Sequence, residues 1–460
     1  MNYPLTKRFR RVWMIGIGGS GMAGIAEQLI AMKFKVSGSD VSTSEVTERL
    51  NQLGATVYNE HNADRVKEHD VVIYSNAISD DNVELIAASD MKIPIIPRAE
   101  MLAELMRMKT GVGISGSHGK TTITSLVGEI LTEAKLNPTV IVGGRLRALG
   151  GGVRSGSGDI LVAEADEYEG SFLKLKPVVV LINNLDNDHL ECYGGYSQLE
   201  DAFVQFANSV PFYGRILINI DEPSLQPLLP RFERTVVTYG LSPQADIRAL
   251  NPSYDKLVSS FDLAVKGKTI GRINLAMLGK FNILNALGAI AVGVEFEVDF
   301  KHTKTALEKF EGVHRRFEII DEINGIMVVT DFGHHPTAIA ATIEAAKSGW
   351  NMRLIVVFQA HLFSRTQELA DQFGQSLLGA DVAYVLPIYP AREMPIEGVS
   401  SALIFDAAKN AGHKNVHHVP DKSTIVATVC KVARKGDIVM VIGAGDVDKL
   451  APKIVKGLRQ

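Results

Sequence analysis

Apolar residues along this chain fall in short unbroken runs that break off into glycine-rich or polar turns. Val12 to Ile17 runs into Gly18-Gly19-Ser20-Gly21, Gly111 to Ser115 into Gly116-Ser117-His118-Gly119, and Ile438 to Ile442 into Gly443-Ala444-Gly445. Each reads as a strand, a tight turn and a helix start. Further strands are expected at Val71 to Tyr74, Ile160 to Ala163, Val178 to Ile182, Met327 to Thr330, Leu354 to Phe358 and Val382 to Leu386. Most of these runs are continuous rather than alternating, the pattern of strands buried on both faces of a parallel sheet covered by helices. The expected fold class is α/β throughout.

Length sets the number of such units. At roughly 150 residues per domain, 460 residues predict three domains. A helical stretch over 101–110 and a fresh start after 311–317 place them at 1–108, 109–312 and 313–460. The formal charge of -4, from 48 Lys plus Arg against 52 Asp plus Glu, argues against a surface built to coat nucleic acid. Any polyanion must be met locally. Two cysteines, Cys192 and Cys430, exclude a disulfide framework and favour a reducing compartment. The longest apolar runs break too early to span a bilayer. The stretch after Arg10-Arg11 meets Gly16, Gly18 and Gly19 too soon to form a signal-peptide core, so a cytosolic protein is expected.

The first glycine loop, Gly16-Ile17-Gly18-Gly19-Ser20-Gly21, follows a strand, and Asp40 lies 19 residues past Gly21. Backbone N–H groups at a helix start suit a pyrophosphate and the carboxylate suits a ribose hydroxyl, the arrangement of a Rossmann-type site. The same glycines could serve only close helix–sheet packing, and the motif does not separate NAD from other pyrophosphate ligands. The second loop, Gly116-Ser117-His118-Gly119-Lys120-Thr121-Thr122, ends in the G-K-[ST] of a phosphate loop, in its shorter form. Its N–H groups would cradle phosphate oxygens, the Lys120 ammonium would neutralise the terminal phosphates, and the Thr121 hydroxyl would ligate Mg²⁺.

Carboxylates cluster at two strand ends. Glu164-Ala165-Asp166-Glu167 follows one strand, and Glu164, first past it, is the favoured Mg²⁺ ligand, with a solvated acidic turn as the alternative. Asn183-Asn184-Leu185-Asp186-Asn187-Asp188-His189 follows the next, a polar run that no core would choose. Later, Asp331-Phe332-Gly333-His334-His335-Pro336 and His361-Leu362-Phe363-Ser364-Arg365 each follow a strand and hold groups that could meet a substrate. Asp331-Phe332-Gly333 spells a kinase metal motif, but the other kinase elements are missing from the sequence.

Taken in order, S-G-S-H-G-K-T-T, E-A-D-E, N-x-L-x-x-D-H, N-x-x-N-A at Asn282 to Ala286, H-R-R-F, D-F-G-H-H-P-T and F-Q-A-H-L-F-S-R-T resemble the Mur ligase family over essentially the whole chain. The resemblance implies cytosolic, ATP-dependent amide-bond formation in building the peptidoglycan peptide stem. It implies an N-terminal Rossmann-like domain for a UDP-sugar, a central P-loop ATPase-type α/β domain, and a C-terminal Rossmann-like domain that receives an amino acid. Gly18, Gly19, Ser20 and Gly21 would hold the UDP pyrophosphate, with Asp40 near the ribose or uracil. Gly116, Ser117, His118, Gly119, Lys120, Thr121 and Thr122 would hold ATP phosphates. Thr121, Glu164 and His189 match Mg²⁺ ligands, Asn282 and Asn285 the asparagines near adenine, and Arg316 a nucleotide- or phosphate-contacting arginine. His334, His361 and Arg365 would meet the incoming amino acid and the sugar carboxylate.

Several later-acting members carry a carbamylated lysine after the D-H pair, whereas residues 189–215 here contain no lysine. This favours the member that joins L-alanine to UDP-N-acetylmuramate, or the recycling member that adds a preformed tripeptide. The run His361 to Thr366 favours the former. Leu362 and Phe332 depart from the pattern, standing where many alanine-adding members have arginine and tyrosine. An NAD-dependent dehydrogenase, suggested by the first loop alone, leaves the second loop unexplained, and a non-catalytic nucleotide switch leaves the chemistry of the later motifs unused.

Overall fold

The computed structural model describes residues 9–75, 77–146, 151–187, 190–391 and 393–460. The architecture is α/β in three domains, each built on its own sheet. By compactness the chain divides into two units, one of residues 1–251, 261–273 and 284–311, the other of 252–260, 274–283 and 312–460.

The first sheet runs in the order Thr56–Tyr58, Lys35–Ser39, Arg11–Ile15, Val71–Tyr74 and Ile95–Pro97, all parallel. Val12, Trp13, Met14 and Ile15 are all buried, as an unbroken apolar strand demands when both sheet faces are covered. Helix Ser20–Ala31 lays Met22, Ile25, Ala26 and Leu29 into the core. The strand order reverses beside Arg11–Ile15, so the loop after this strand opens at the crevice where such sheets take ligands.

The second sheet has ten strands, and its centre sets Arg215–Asn219, Val179–Ile182, Thr110–Ser115, Ile160–Glu164 and Thr139–Leu146 side by side in parallel. Thr110–Ser115 thus lies between the strands that end in the acidic run and in the asparagine run. Both polar segments are delivered beside the phosphate loop by topology alone. The sheet continues through Val236–Gly240 to Ile247–Asp255, Val258–Val265 and Lys268–Leu275. These last strands have alternating buried and exposed positions, which is why a search for continuous apolar runs misses them.

The third sheet runs Glu318–Ile323, Ile326–Asp331, Asp437–Ile442, Arg353–Phe358, Val382–Val385 and Val416–His418. Only the first pair among these is antiparallel. Asp437–Ile442 sits between two strands that precede it in the chain, so Asp331, Gln359 and Gly443 come to one edge of the sheet. No helix among the described residues is long and apolar enough to cross a membrane.

Candidate active site

The loop after Thr110–Ser115 needs backbone that only glycine adopts cheaply. Gly116 has φ +132° and Gly119 φ +85°. Gly119 precedes helix Lys120–Glu133, whose first turn carries no side-chain cap, the usual arrangement of an anion-binding helix start. The loop is braced from behind. The His118 N–H donates to Asn184 Oδ1 at 2.8 Å, and the amides of Asn183 and Asn184 donate back to the His118 carbonyl at 3.2 and 3.1 Å. Asn183 also donates to Asn285 Oδ1 at 3.1 Å and accepts from the Tyr239 hydroxyl at 2.9 Å. A methyl group on Gly119 would lie 2.6 Å from Asn285 Oδ1 and 2.8 Å from Asn183 Nδ2. Ser117 Oγ accepts the Asp186 N–H, and the His118 ring lies 3.1 Å from Asp186 Oδ2.

Lys120 is the charged centre of this loop. Its ammonium donates to the Gly116 carbonyl at 2.8 Å and to both carboxylate oxygens of Glu167 at 2.8 and 2.6 Å. Burial opposes this charge, but the carboxylates of Glu167, Asp166 and Glu164 outweigh it and raise the pKa above the usual lysine range. Glu167 is 1 % exposed and its backbone carbonyl accepts the Tyr193 hydroxyl. Thr121 is half-buried in the first helical turn and Glu164 closes strand Ile160–Glu164. A threonine hydroxyl and a carboxylate are the hard oxygen donors that Mg²⁺ takes beside nucleotide phosphates. His189 lies outside the described residues.

In the first sheet, Gly16 has φ +72°, and the Gly16 and Ile17 N–H groups donate to the Ser39 carbonyl at 2.8 and 3.1 Å. Asp40 Oδ2 accepts the Gly18 N–H at 2.9 Å, while Oδ1 takes the Ser42 N–H and hydroxyl. The expected ribose carboxylate is therefore also a brace of its own loop. Gly19 precedes the uncapped helix that begins at Ser20, and a methyl on Gly21 would meet Arg98 Nη1 at 2.7 Å. Arg98, absent from the sequence reading, so stands at this helix start.

In the second unit the Asp331 carboxylate accepts the Phe317 and Gly333 N–H groups at 2.8 and 2.7 Å. Burial raises its pKa despite Arg316 and these donors. Arg315 and Arg316 place their guanidinium groups 4.8 and 5.3 Å from the Phe332 ring centre, so a phenylalanine here still serves as a cation–π face. Arg315 also donates to the Gly443 and Gly445 carbonyls at 2.5 and 3.2 Å. His334 and His361 have ring centres 6.4 Å apart, and His361 stacks on Tyr389. Arg365 lies in the first turn of helix Phe363–Ser376, behind Leu362 at φ +74°. That turn is capped by Glu393, which accepts the Phe363 and Ser364 N–H groups at 2.6 and 3.0 Å.

Of the expected adenine asparagines, Asn285 is buried against the phosphate loop, and Asn282, also buried, donates to the Leu278 carbonyl at 2.8 Å. Thr122 is buried in the first turn of its helix. The acidic run contains both a favoured metal ligand and the lysine's partner, and sequence alone does not say which carboxylate turns inward.

A phosphate loop on a central parallel sheet, preceded by a dinucleotide-type domain and followed by a second α/β domain, defines a class of nucleotide-dependent ligases. The Mur ligase family, catalytic domain model matches residues 11–110, the Mur ligase middle domain 114–293, and the Mur ligase, glutamate ligase domain 315–445, and the chain belongs to this family. Within it, the chain is 45 % identical over 453 residues to a UDP-N-acetylmuramate–L-alanine ligase of Geotalea daltonii, covering 98 % of this chain and 99 % of that one. It is similar to the crystal structure of a UDP-N-acetylmuramate-alanine ligase from Thermotoga maritima, with TM-score 0.80, 27 % identity and coverage of 98 and 99 %. A murein peptide ligase from Psychrobacter arcticus shares the fold, with TM-score 0.70 and 23 % identity over 98 % of each chain.

Proposed function

We propose that this chain joins L-alanine to the carboxylate of UDP-N-acetylmuramate, converting ATP to ADP and phosphate, as a cytoplasmic step in peptidoglycan precursor synthesis. The observation that carries this reading is the 45 % identity, end to end, to a curated ligase bearing that activity in its name. In the reaction, a sugar carboxylate oxygen attacks the γ-phosphorus of ATP as the bond to ADP breaks. The alanine amine then attacks the acyl carbon, phosphate leaves, and the nitrogen loses its proton.

The first step brings an anion onto an anion, and the chain's own residues lower that barrier. Lys120 is held charged by a carboxylate it can exchange for phosphate oxygens, and the loop backbone is braced on Asn184 before the nucleotide arrives. Bound Mg²⁺, held by Thr121 and Glu164 with His189 as a third ligand, would neutralise further phosphate charge. Gly18 to Gly21 with Asp40 would receive the UDP pyrophosphate and ribose, and Asn282, Asn285 and Arg316 the ATP nucleoside and phosphates. His334, His361 and Arg365 would orient the amino acid and the sugar carboxylate.

Phosphate release from MgATP tests the reading, measured with UDP-N-acetylmuramate, with and without L-alanine. Release that requires both substrates is expected, and Lys120→Ala should abolish it while UDP-sugar binding survives. Stimulation by a preformed tripeptide instead of L-alanine would reassign the chain to the recycling activity. Reduction of NAD without ATP turnover would overturn the ligase altogether.

A further inference from the structure

Glu84 is a buried carboxylate that the mechanism above leaves unused. It lies in the first turn of helix Val83–Asp90 and is 0 % exposed. Its Oε2 accepts the Trp13 indole N–H at 3.1 Å and the Ser39 hydroxyl at 2.5 Å, and faces His61 Nδ1 at 3.3 Å. Its Oε1 accepts the Asn62 N–H at 2.9 Å. Trp13 and Ser39 belong to neighbouring strands, and His61 and Asn62 follow the third strand of the same half-sheet. His61 Nδ1 also lies 2.9 Å from Ser39 Oγ, which closes a triangle around the carboxylate.

Packing alone does not call for this group, since burying a carboxylate is costly unless donors converge on it. Among these groups, Ser39 is the one bonded to the first glycine loop. The Ser39 carbonyl takes the Gly16 and Ile17 N–H groups, and the next residue, Asp40, takes that of Gly18. From Glu84 to three successive loop amides there is one intervening pair of residues.

We propose that Glu84 is a positioning residue for the first glycine loop, holding Ser39 and Asp40 so that the loop presents the uncapped helix start at Ser20 to a nucleoside diphosphate. The inference rests on the UDP-sugar reading of that loop. Only an acceptor on both oxygens meets this role. Glutamine must turn its NH₂ either toward the indole and hydroxyl donors or toward the Asn62 N–H, and one side then loses its acceptor.

Calorimetric titration of the full chain with UDP, and separately with MgADP, tests this. Glu84→Gln should weaken UDP binding roughly tenfold, equivalent to about 1.4 kcal/mol, and leave MgADP binding unchanged. Trp13→Phe removes one donor without touching Ser39, so it should lower the melting temperature but not the affinity for UDP. Ser39→Ala removes the hydroxyl that meets both Glu84 and His61, should weaken UDP binding in the same direction, and keeps the test open if Glu84→Gln does not fold. Unchanged UDP affinity in either Glu84→Gln or Ser39→Ala would overturn the proposal, as would an equal loss in Trp13→Phe. A wild-type chain that binds MgADP but not UDP would overturn the UDP-sugar reading itself, and this inference with it.

Discussion

Glu167→Gln asks whether the Lys120 ammonium changes partner when a triphosphate enters. In the free chain both Glu167 oxygens lie within 2.8 Å of Nζ, with the two side chains 1 and 16 % exposed. Removing one member of a buried ion pair costs about 3–5 kcal/mol, because the other charge stays buried. Here the new amide oxygen, the Gly116 carbonyl and the charges of Asp166 and Glu164 still hold the ammonium. The expected loss is therefore nearer about 2 kcal/mol. For a domain of this size that is a fall in melting temperature of roughly 4–8 °C. Phosphate oxygens would supply the missing acceptors, so saturating Mg²⁺ with a non-hydrolysable ATP analogue should recover most of the fall. Scanning calorimetry of wild type and variant, each with and without the analogue, measures both numbers. An equal fall in the two conditions would mean that Lys120 does not exchange Glu167 for phosphate, and the charge argument for the loop would fail.

Gly119→Ala places a methyl 2.6 Å from Asn285 Oδ1 at φ +85° and should abolish MgADP binding while UDP binding persists; retained MgADP affinity would remove this loop from the nucleotide site. Tyr239→Phe leaves Asn183 Oδ1 without its buried hydroxyl donor, and a loss of about 1–3 kcal/mol in stability is expected by chemical denaturation. Burial works against the Glu393 charge, but the Ser364 hydroxyl, the Ser364 and Phe363 N–H groups and the field of His361 outweigh it, so its carboxyl titrates below the usual glutamate range. A depressed folded pKa gives stability that is complete above the unfolded value, about 4.3, and lost as pH falls through the folded one. Glu393→Gln should thus flatten the acid limb of a melting-temperature profile, and a limb parallel to wild type would refute the capping role.

The sequence pattern made many of the buried parallel strands legible because burial on both faces leaves no polar position in them, although Thr139–Leu146, Arg215–Asn219 and Val236–Gly240, also parallel, were not among those expected. The two glycine loops were legible because positive φ and close approach at Gly16, Gly116 and Gly119 admit no common substitute. The strands over residues 247–275 were not, since each has an exposed edge pattern that resembles a polar loop. Nor was the split of labour among Glu164, Asp166 and Glu167. Residue type places three carboxylates near a lysine without saying which one meets it, and in the fold it is Glu167, just before a turn where Glu169 and Gly170 both have positive φ. Of the run that follows Val179–Ile182 only His189 was expected to act, and Asn183 and Asn184, given no role by motif, spend their hydrogen bonds on the backbone of the phosphate loop. Arg98, Glu84 and Glu393 carry no motif and become visible only through their partners.

The contacts that run from Tyr239 through Asn183 and Asn285 to Gly119 also fix when disorder is removed from the phosphate loop. Ordering one residue's backbone takes about 1–2 kcal/mol of conformational entropy. A loop held by side chains from strand Val236–Gly240 and helix Lys280–Glu295 loses that freedom as the chain folds rather than as ATP binds. Nucleotide affinity is then partly a property of the folding reaction. A neutral-looking change at Tyr239 would slacken the loop and reach ATP without ever touching it.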